Sequence, residues 1–259
     1  MNINIKTNFI NKWGKYFPGS ELPIACYYSN DLNGAKFTDP PKQNKQGYTC
    51  IFSQLAPVRR GKVRAFNQDN LGCWGAKGVL GFIPSGADEQ TMDFLVNIER
   101  YKKSSEHIRA MFKSNPPLPA KGRYLIFKRW DMLTDKDQPQ VVCFFCTPDV
   151  LSGLHGLANY DTMDPHGVIT PNWSGCDMLV GFAMKELKSD QPKAIIGLFD
   201  PRARVCVMPD LLSFSIPWPK FESMLKNIDD CFLNTYTWEK IRKRVAGSLS
   251  FKEKKGDQS

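Results

Sequence analysis

The stretch from residue 141 to residue 182 reads VVCFFCTPDVLSGLHGLANYDTMDPHGVITPNWSGCDMLVGF and carries strong secondary-structure signals. The apolar run at its start predicts a buried strand. Thr147 supplies a capping hydroxyl and Pro148 suits the first position of a helix, so a helix should begin there. The predicted order is a strand over 141–146, a helix over 148–160, a strand over 168–173 and then Gly175-Cys176, with Gly181 five residues past the cysteine.

A stretch in the first part of the chain repeats this order. Its elements are a strand over 22–28, a helix over 50–58, a strand over 63–67 and then Gly72-Cys73, with Gly78 five residues past the cysteine. We interpret the repeat as a duplication, in which residues 22–82 and 141–182 superpose. Such a duplication would bring Cys73 and Cys176 to one cleft between two halves.

Along the rest of the chain, helices and strands interleave without a strict alternation. This pattern predicts an α+β fold, with a mixed sheet flanked by helices, rather than a doubly wound parallel fold. Two related strand-helix-strand halves should pack together and join at residues 115–119, where consecutive prolines cannot continue a helix. The predicted segments are an N-terminal helix over 1–18, a single domain over 19–245 with halves 19–115 and 120–245, and a basic tail over 246–259.

Composition excludes several classes of protein. No apolar run approaches the roughly 20 residues that span a bilayer, and the start of the chain lacks a secretory signal, so we expect no membrane partner and a cytoplasmic location. Much of the net charge of +9 lies in the last helix and tail, without a nucleic-acid-recognition motif, which disfavours nucleic acid as a partner. Walker and dinucleotide-binding motifs are also absent from the sequence, which disfavours ATP and NAD enzymes.

The eight cysteines of a cytoplasmic chain should remain reduced and available for metal or redox chemistry. Cys176 follows Ser174, a capping residue, so its sulfur should lie in the first turn of a helix, where the dipole favours a thiolate. Cys73 lies among glycines, which let backbone amides approach a bound group closely. We therefore predict a cofactor site that contains Cys73, Cys176, Gly75 and Gly78.

An iron–sulfur cluster or another thiolate-bound metal is the cofactor that these residues predict. Clusters usually need four thiolates, and Cys50 and Cys206 are the further candidates. The predicted metal ligands are therefore Cys50, Cys73, Cys176 and Cys206, which come from separate elements. Cys143 and Cys146 also form a C-x-x-C sequence, but on a strand they face opposite sides, so we interpret them as core thiols.

Other interpretations of the cysteines remain open in the sequence. Cys73 and Cys176 could be small buried residues at tight turns. Cys176 could instead be a nucleophile, with His166 as its base and Asp164 or Asp177 as the third group.

A non-catalytic function is the main alternative. The chain would then bind a small anionic ligand in the same cleft, its cysteines would be structural, and the polar residues to consider would be Asp200, Arg202 and Arg204. No motif identifies a reaction, an electron donor or an oligomeric state, so the sequence does not decide whether the chain is an enzyme.

Several long phrases carry a family resemblance: YFPGSELPIACYYS, CIFSQLAPVRRGK, GCWGAKGVLGF, TPDVLSGLHGLANYD and IIGLFDPRARVCV. In these phrases, over residues 16–245, the chain resembles domain-of-unknown-function family 169, an uncharacterised prokaryotic family. The resemblance implies that Cys50, Cys73 and Cys176 occupy positions where family members carry cysteine. It implies no activity. Some members have a further cysteine near the position of Leu198, whereas this chain has Cys206 nearby.

Overall fold

The computed structural model of the chain describes residues 1–37, 49–84 and 89–247. Most of the predicted basic tail, from residue 248 onward, lies outside the described residues. The α-helices within them are α1 Ile3–Tyr16, α2 Ile51–Arg59, α3 Trp74–Val79, α4 Glu89–Asp93, α5 Ser105–Ser114, α6 Pro148–Asn159, α7 Phe182–Glu186, α8 Pro201–Arg204, α9 Trp218–Asn227 and α10 Tyr236–Gly247. None of them has the length and apolar character needed to cross a membrane.

The strands of the described residues form one eight-stranded mixed sheet in the order β2-β3-β4-β1-β5-β8-β7-β6. They are β1 Ile24–Ser29, β2 Lys36–Phe37, β3 Arg64–Phe66, β4 Tyr124–Arg129, β5 Val141–Cys146, β6 Val168–Ile169, β7 Ala194–Gly197 and β8 Leu212–Pro217. Only the edge pairs β2–β3 and β6–β7 are parallel. The predicted α+β fold with a mixed sheet is confirmed.

The strand order corrects the predicted duplication. Both stretches contain strand, helix, strand and Gly-Cys in that order, but β3 lies beside β4, third from the centre, whereas β6 lies at the edge of the sheet. The helices also differ, because α2 packs on one face of the sheet and α6 on the other. Residues 22–82 and 141–182 therefore do not occupy equivalent positions.

A different correspondence is present in the sheet. Outward from the central antiparallel pair β1–β5, the strands run β1, β4, β3, β2 on one side and β5, β8, β7, β6 on the other. The parallel and antiparallel pairings match as well. β4, which follows residues 115–119 in the chain, pairs with β1 and β3 from the first part of the chain.

The sheet separates two cores. On β5, Cys143 and Phe145 point to one side, which we call the cysteine face and which α2, α3 and α7 cover. Phe144 and Cys146 point to the other side, the aromatic face, which is covered by α1, α6, α9 and α10. Cys143 and Cys146 are both buried, so their interpretation as core thiols on opposite sides is confirmed.

The aromatic face is closely packed. The ring centroid of Trp130 lies 4.7 Å from that of Phe9 and 4.9 Å from that of Phe221. The Trp13 ring lies 4.5 Å from that of Phe17. Burying each such side chain contributes roughly 1.5–3 kcal/mol. The N-terminal helix is thus part of this core.

Candidate functional site

A cavity of about 810 Å³ opens on the cysteine face. This volume lies within the range of small-molecule sites. Among the residues that line it are three of the predicted metal ligands, Cys50, Cys73 and Cys176, and both predicted glycines, Gly75 and Gly78. The chain therefore brings together, at one cavity, residues that are far apart in sequence.

Cys50 and Cys73 occupy equivalent positions, each as the residue before a helix. Cys50 is the N-cap of α2 and Cys73 the N-cap of α3, and both have extended backbone angles. The amide N–H of Thr49 donates to the carbonyl oxygen of Gly72 at 2.9 Å. This bond ties the two segments together immediately before the cysteines, so the two helix starts lie side by side.

Cys176 lies in the first turn of the helix that leads into α7. Ser174 caps this helix, because its Oγ accepts from the N–H of Asp177 at 3.4 Å, as the sequence predicted. A Cβ on Gly175 would lie 2.7 Å from the Cβ of Ala203 and 2.8 Å from Cε2 of Phe52. The glycine therefore lets the start of this helix approach both α2 and α8 closely.

Cys206 is the fourth predicted cysteine, and it packs against the core of the cysteine face. It follows α8, and its amide N–H donates to the carbonyl oxygen of Ala203 at 3.0 Å. Its thiol donates to the carbonyl oxygen of Arg202 at 3.8 Å, and it lies close enough to Cys50 to help raise the pKa of that thiol. Cys50 thus lies near each of the other three predicted cysteines, although Cys206 does not itself line the cavity among the described residues.

Burial controls the protonation of the Cys50 and Cys176 thiols. Desolvation raises the pKa of Cys50 to about 12, with further contributions from Cys206 and Cys73. Desolvation also raises the pKa of Cys176 well above its usual value, and Cys50 and Cys73 add to this effect. The predicted thiolate at Cys176 is therefore wrong for the metal-free protein, because the loss of solvent outweighs the helix dipole.

The predicted cysteines lie near one another, but their side chains do not form a metal-binding arrangement. Within residues 1–37, 49–84 and 89–247, no three His, Cys, Asp or Glu side chains stand in a metal-holding arrangement. A Cβ on Gly75 would meet only the Sγ of Cys73, at an ordinary 3.8 Å. The glycine thus leaves space beside this thiol, and metal binding would require the sulfurs to move closer together.

Asp200 connects the two elements that carry Cys176 and Cys206. Its Oδ2 accepts from the amide N–H of Gly175 at 3.0 Å, and its Oδ1 caps α8 by accepting from the amide of Arg202 at 3.1 Å. Leu198, two residues earlier, is fully buried with φ of 71°, a left-handed conformation that is uncommon for a leucine. The surrounding core therefore holds this loop in a strained conformation beside the site.

Both arginines of the predicted anion site already have partners. The Nε of Arg202 lies 3.2 Å from Oδ1 of Asp200 and 3.7 Å from Oε2 of Glu99. The guanidinium of Arg204 donates to the backbone carbonyls of Pro209 and Leu211. Among the described residues, Arg202 is the arginine that lines the cavity, and two carboxylates balance its charge, so it offers little free positive charge to an added anion.

Histidine does not contribute to this site. None of the described residues that line the cavity is a histidine. His166 is exposed, and its amide N–H donates to Oδ1 of Asp164 in a turn. The geometry therefore gives no support to His166 as a base for Cys176.

Asp177 is a buried acid that the sequence did not single out as such. Burial raises its pKa to about 6. Its Oδ2 accepts from Nδ2 of Asn115 at 2.7 Å, while Oδ1 has no partner among the described residues. A Cβ on Gly181 would lie 1.7 Å from this Oδ1, so the glycine makes room for the carboxyl group. An aspartate four residues before a glycine in an apolar helix was the available signal.

The aromatic lining of the cavity was also missed. Trp74 and Phe94 line it and remain 50% and 38% exposed, and Phe112 and Trp173 form an edge-to-face pair with centroids 6.1 Å apart. The position of Trp74 directly after Cys73 was the only local signal.

Comparison with known proteins identifies a family without an activity. No curated protein and no solved structure matches the chain. One family model matches residues 20–227, which is well over half of the chain, and its description reads "Uncharacterised ArCR". The chain therefore belongs to domain-of-unknown-function family 169.

Proposed function

We propose that this protein is a cytoplasmic redox protein that binds an iron–sulfur cluster, or another thiolate-bound metal, through Cys50, Cys73, Cys176 and Cys206. The observation that carries the proposal is the grouping of these four cysteines from four separate elements: Cys50, Cys73 and Cys176 line one cavity, and Cys206 neighbours Cys50. Four thiolates are the usual ligand set of an iron–sulfur cluster. All eight cysteines are free thiols, as a reducing compartment would keep them.

Two helix starts would offset part of the cost of placing negative charge on these thiols. Thiols must lose their protons to bind a metal, so metal affinity should increase with pH. Cys50 precedes α2, and Cys176 lies in the first turn of its helix. The positive ends of these helix dipoles would stabilise thiolate charge once the metal replaces the protons.

The anion-binding alternative has weaker support. It needs free cations in the cleft, but Arg202 is balanced by Asp200 and Glu99, and Arg204 is bonded to backbone carbonyls. It also gives no reason for four thiols to lie together. The metal proposal accounts for this grouping.

Metal loading of wild-type and variant chains tests the proposal. The protein is incubated anaerobically with ferrous iron, sulfide and a thiol reductant, desalted, and analysed for iron, sulfide and absorbance at about 400 nm. We expect stoichiometric iron and sulfide in the wild type, and a large loss in Cys73→Ser and Cys176→Ser.

Cys146→Ser is the matched control, since Cys146 is a buried thiol on the opposite face of the sheet. It should retain the metal of the wild type if it folds. A wild-type chain that takes up neither iron nor sulfide, or equal metal in all three variants, would refute the proposal.

A further inference from the structure

We infer that the cavity beside the thiols binds a planar, uncharged aromatic molecule that carries a carbonyl oxygen. The inference extends the proposed function by naming a ligand class for the same cavity, but it does not require the metal. Three features of the described residues support it: the volume of the cavity, its exposed aromatic rings and its balanced charge.

Volume is the first feature. The cavity of about 810 Å³ is lined by residues from α2, α3, α4 and α5 as well as by the cysteine segments. Metal–thiolate bonds of about 2.3 Å confine a metal to the immediate surroundings of the sulfurs. Most of the cavity therefore lies beyond the reach of the thiols and has room for an organic molecule.

Six aromatic side chains are among the described residues that line the cavity. Trp74 leaves half of its surface exposed, and Phe94, on another element, is 38% exposed. Large apolar groups left exposed around a cavity are typical of a binding site. Phe112 and Trp173 add an edge-to-face pair. Rings of this kind bind another ring by stacking or by edge-to-face contact, which favours a planar aromatic ligand.

The charge balance of the described lining disfavours a strongly anionic ligand. Among the described residues that line the cavity, Arg202 is the cation, and Asp200 and Glu99 both lie within ion-pair distance of it. Its guanidinium also lies over the ring of Tyr101, 5.4 Å from the centroid. A carboxylate on the ligand would face two carboxylates already in place, so an uncharged polar group suits this position better.

Arg202 still has a free donor. Its Nε and Nη2 donate to Asp200, whereas its Nη1 donates to none of the described residues. A neutral carbonyl oxygen can accept from Nη1 without adding charge. The ligand would thus place its ring among Trp74 and Phe94 and its carbonyl oxygen at Arg202.

Calorimetry with three matched naphthalenes tests this inference. 2-Acetylnaphthalene is a planar, uncharged ketone, 2-naphthoate is its anionic analogue, and naphthalene lacks the oxygen. We expect one 2-acetylnaphthalene per chain, with both metal-free and metal-loaded protein. The other two should bind about tenfold more weakly, which corresponds to about 1.4 kcal/mol.

Variants locate the binding. Trp74→Leu and Phe94→Leu should each weaken 2-acetylnaphthalene binding by roughly three- to tenfold through the lost ring contact. Arg202→Met should remove the preference for the ketone over naphthalene. Tyr236→Leu is the control, because Tyr236 is an exposed aromatic residue on α10 that does not line the cavity.

Three results would overturn the inference: no ketone binding by the folded wild type, 2-naphthoate binding as tightly as the ketone, or an equal loss in Tyr236→Leu. The metal proposal can fail separately. Ketone binding by a protein that never takes up metal would sustain this inference alone, and metal uptake without ketone binding would sustain only the metal proposal.

Discussion

The two faces of the sheet differ in packing and in chemistry. On the aromatic face, rings from α1, β5 and α9 fill the space between sheet and helices, and the cavity there measures only about 20 Å³. On the cysteine face, about 810 Å³ remains open, and six of the eight cysteines belong to or pack against that core: Cys26, Cys50, Cys73, Cys143, Cys176 and Cys206.

This difference indicates that one face of the sheet mainly stabilises the fold and that the other face carries the binding site. Burial of large apolar side chains is the dominant favourable contribution to folding. The cysteine face instead contains features that cost free energy, namely a left-handed Leu198, a buried carboxyl at Asp177 and exposed rings at Trp74 and Phe94. Such costs persist where a binding site requires them.

Replacing one phenylalanine on each face by alanine should give the largest difference in the free energy of unfolding. Phe221→Ala removes a ring that is 2% exposed and contacts Trp130, so we expect a loss of about 3–5 kcal/mol in the free energy of unfolding. Phe94→Ala removes a ring that is 38% exposed at the cavity, and the loss should be about 1 kcal/mol or less. Urea unfolding measures both. Equal losses would contradict the division between the faces.

The pH dependence of stability should show the cost of Asp177. The pKa of this carboxyl is about 6 in the folded chain and about 3.9 when unfolded, so the folded state binds more protons between these values. Its contribution is therefore full below about pH 4 and is lost as the pH rises through 6. Relative to Asp177→Asn, the wild type should lose about 2–3 kcal/mol across this window.

For Asp229, beside the aromatic face, stability should depend on pH in the opposite direction. Hydrogen bonds from Lys12 and Tyr16 lower its pKa to about 2, so its contribution is present above about pH 4 and is lost as the pH falls. The Asp229→Asn comparison should therefore slope the other way, and less steeply because this carboxylate is exposed to solvent. Parallel slopes for the two variants would show that burial does not control Asp177.

The rate at which iodoacetamide alkylates Cys50 should depend on pH, and this is the prediction with the smallest consequence for stability. Because burial raises the pKa of Cys50 to about 12, the metal-free thiol is almost entirely protonated at neutral pH. Its labelling by iodoacetamide, followed by mass spectrometry, should increase about tenfold for each pH unit from 7 to 10. A plateau near neutral pH would instead reveal an activated thiolate. Cys26, fully buried in the sheet, should stay unlabelled in the folded chain.

The sequence predicted local structure well. The strand over 141–146 and the helix beginning at Pro148 match β5 and α6, because their signals lie within a few residues, although the hydroxyl of Thr147 makes no capping hydrogen bond among the described residues. The strand predicted over 168–173 is shorter in the structure, where β6 ends at Ile169. Pro171 follows two residues later, and a proline has no backbone N–H to donate to a neighbouring strand.

Features that depend on contacts between distant segments could not be predicted from the sequence. The position of β4 between β1 and β3 depends on pairing between distant segments. The predicted thiolate at Cys176 was wrong because its local helix start is visible in the sequence, whereas its burial by other elements is not. The cysteines themselves were predicted from chemistry and repetition, but the aromatic lining and the balance of charge around Arg202 required the fold.

X-ray absorption at the iron edge of the loaded protein tests the central claim most directly. The account predicts that the nearest neighbours of iron are sulfur atoms at about 2.3 Å. It also predicts that this sulfur signal is lost in Cys176→Ser and kept in Cys146→Ser. Iron surrounded only by oxygen and nitrogen in the wild type would contradict the claim that the cavity thiols bind the metal.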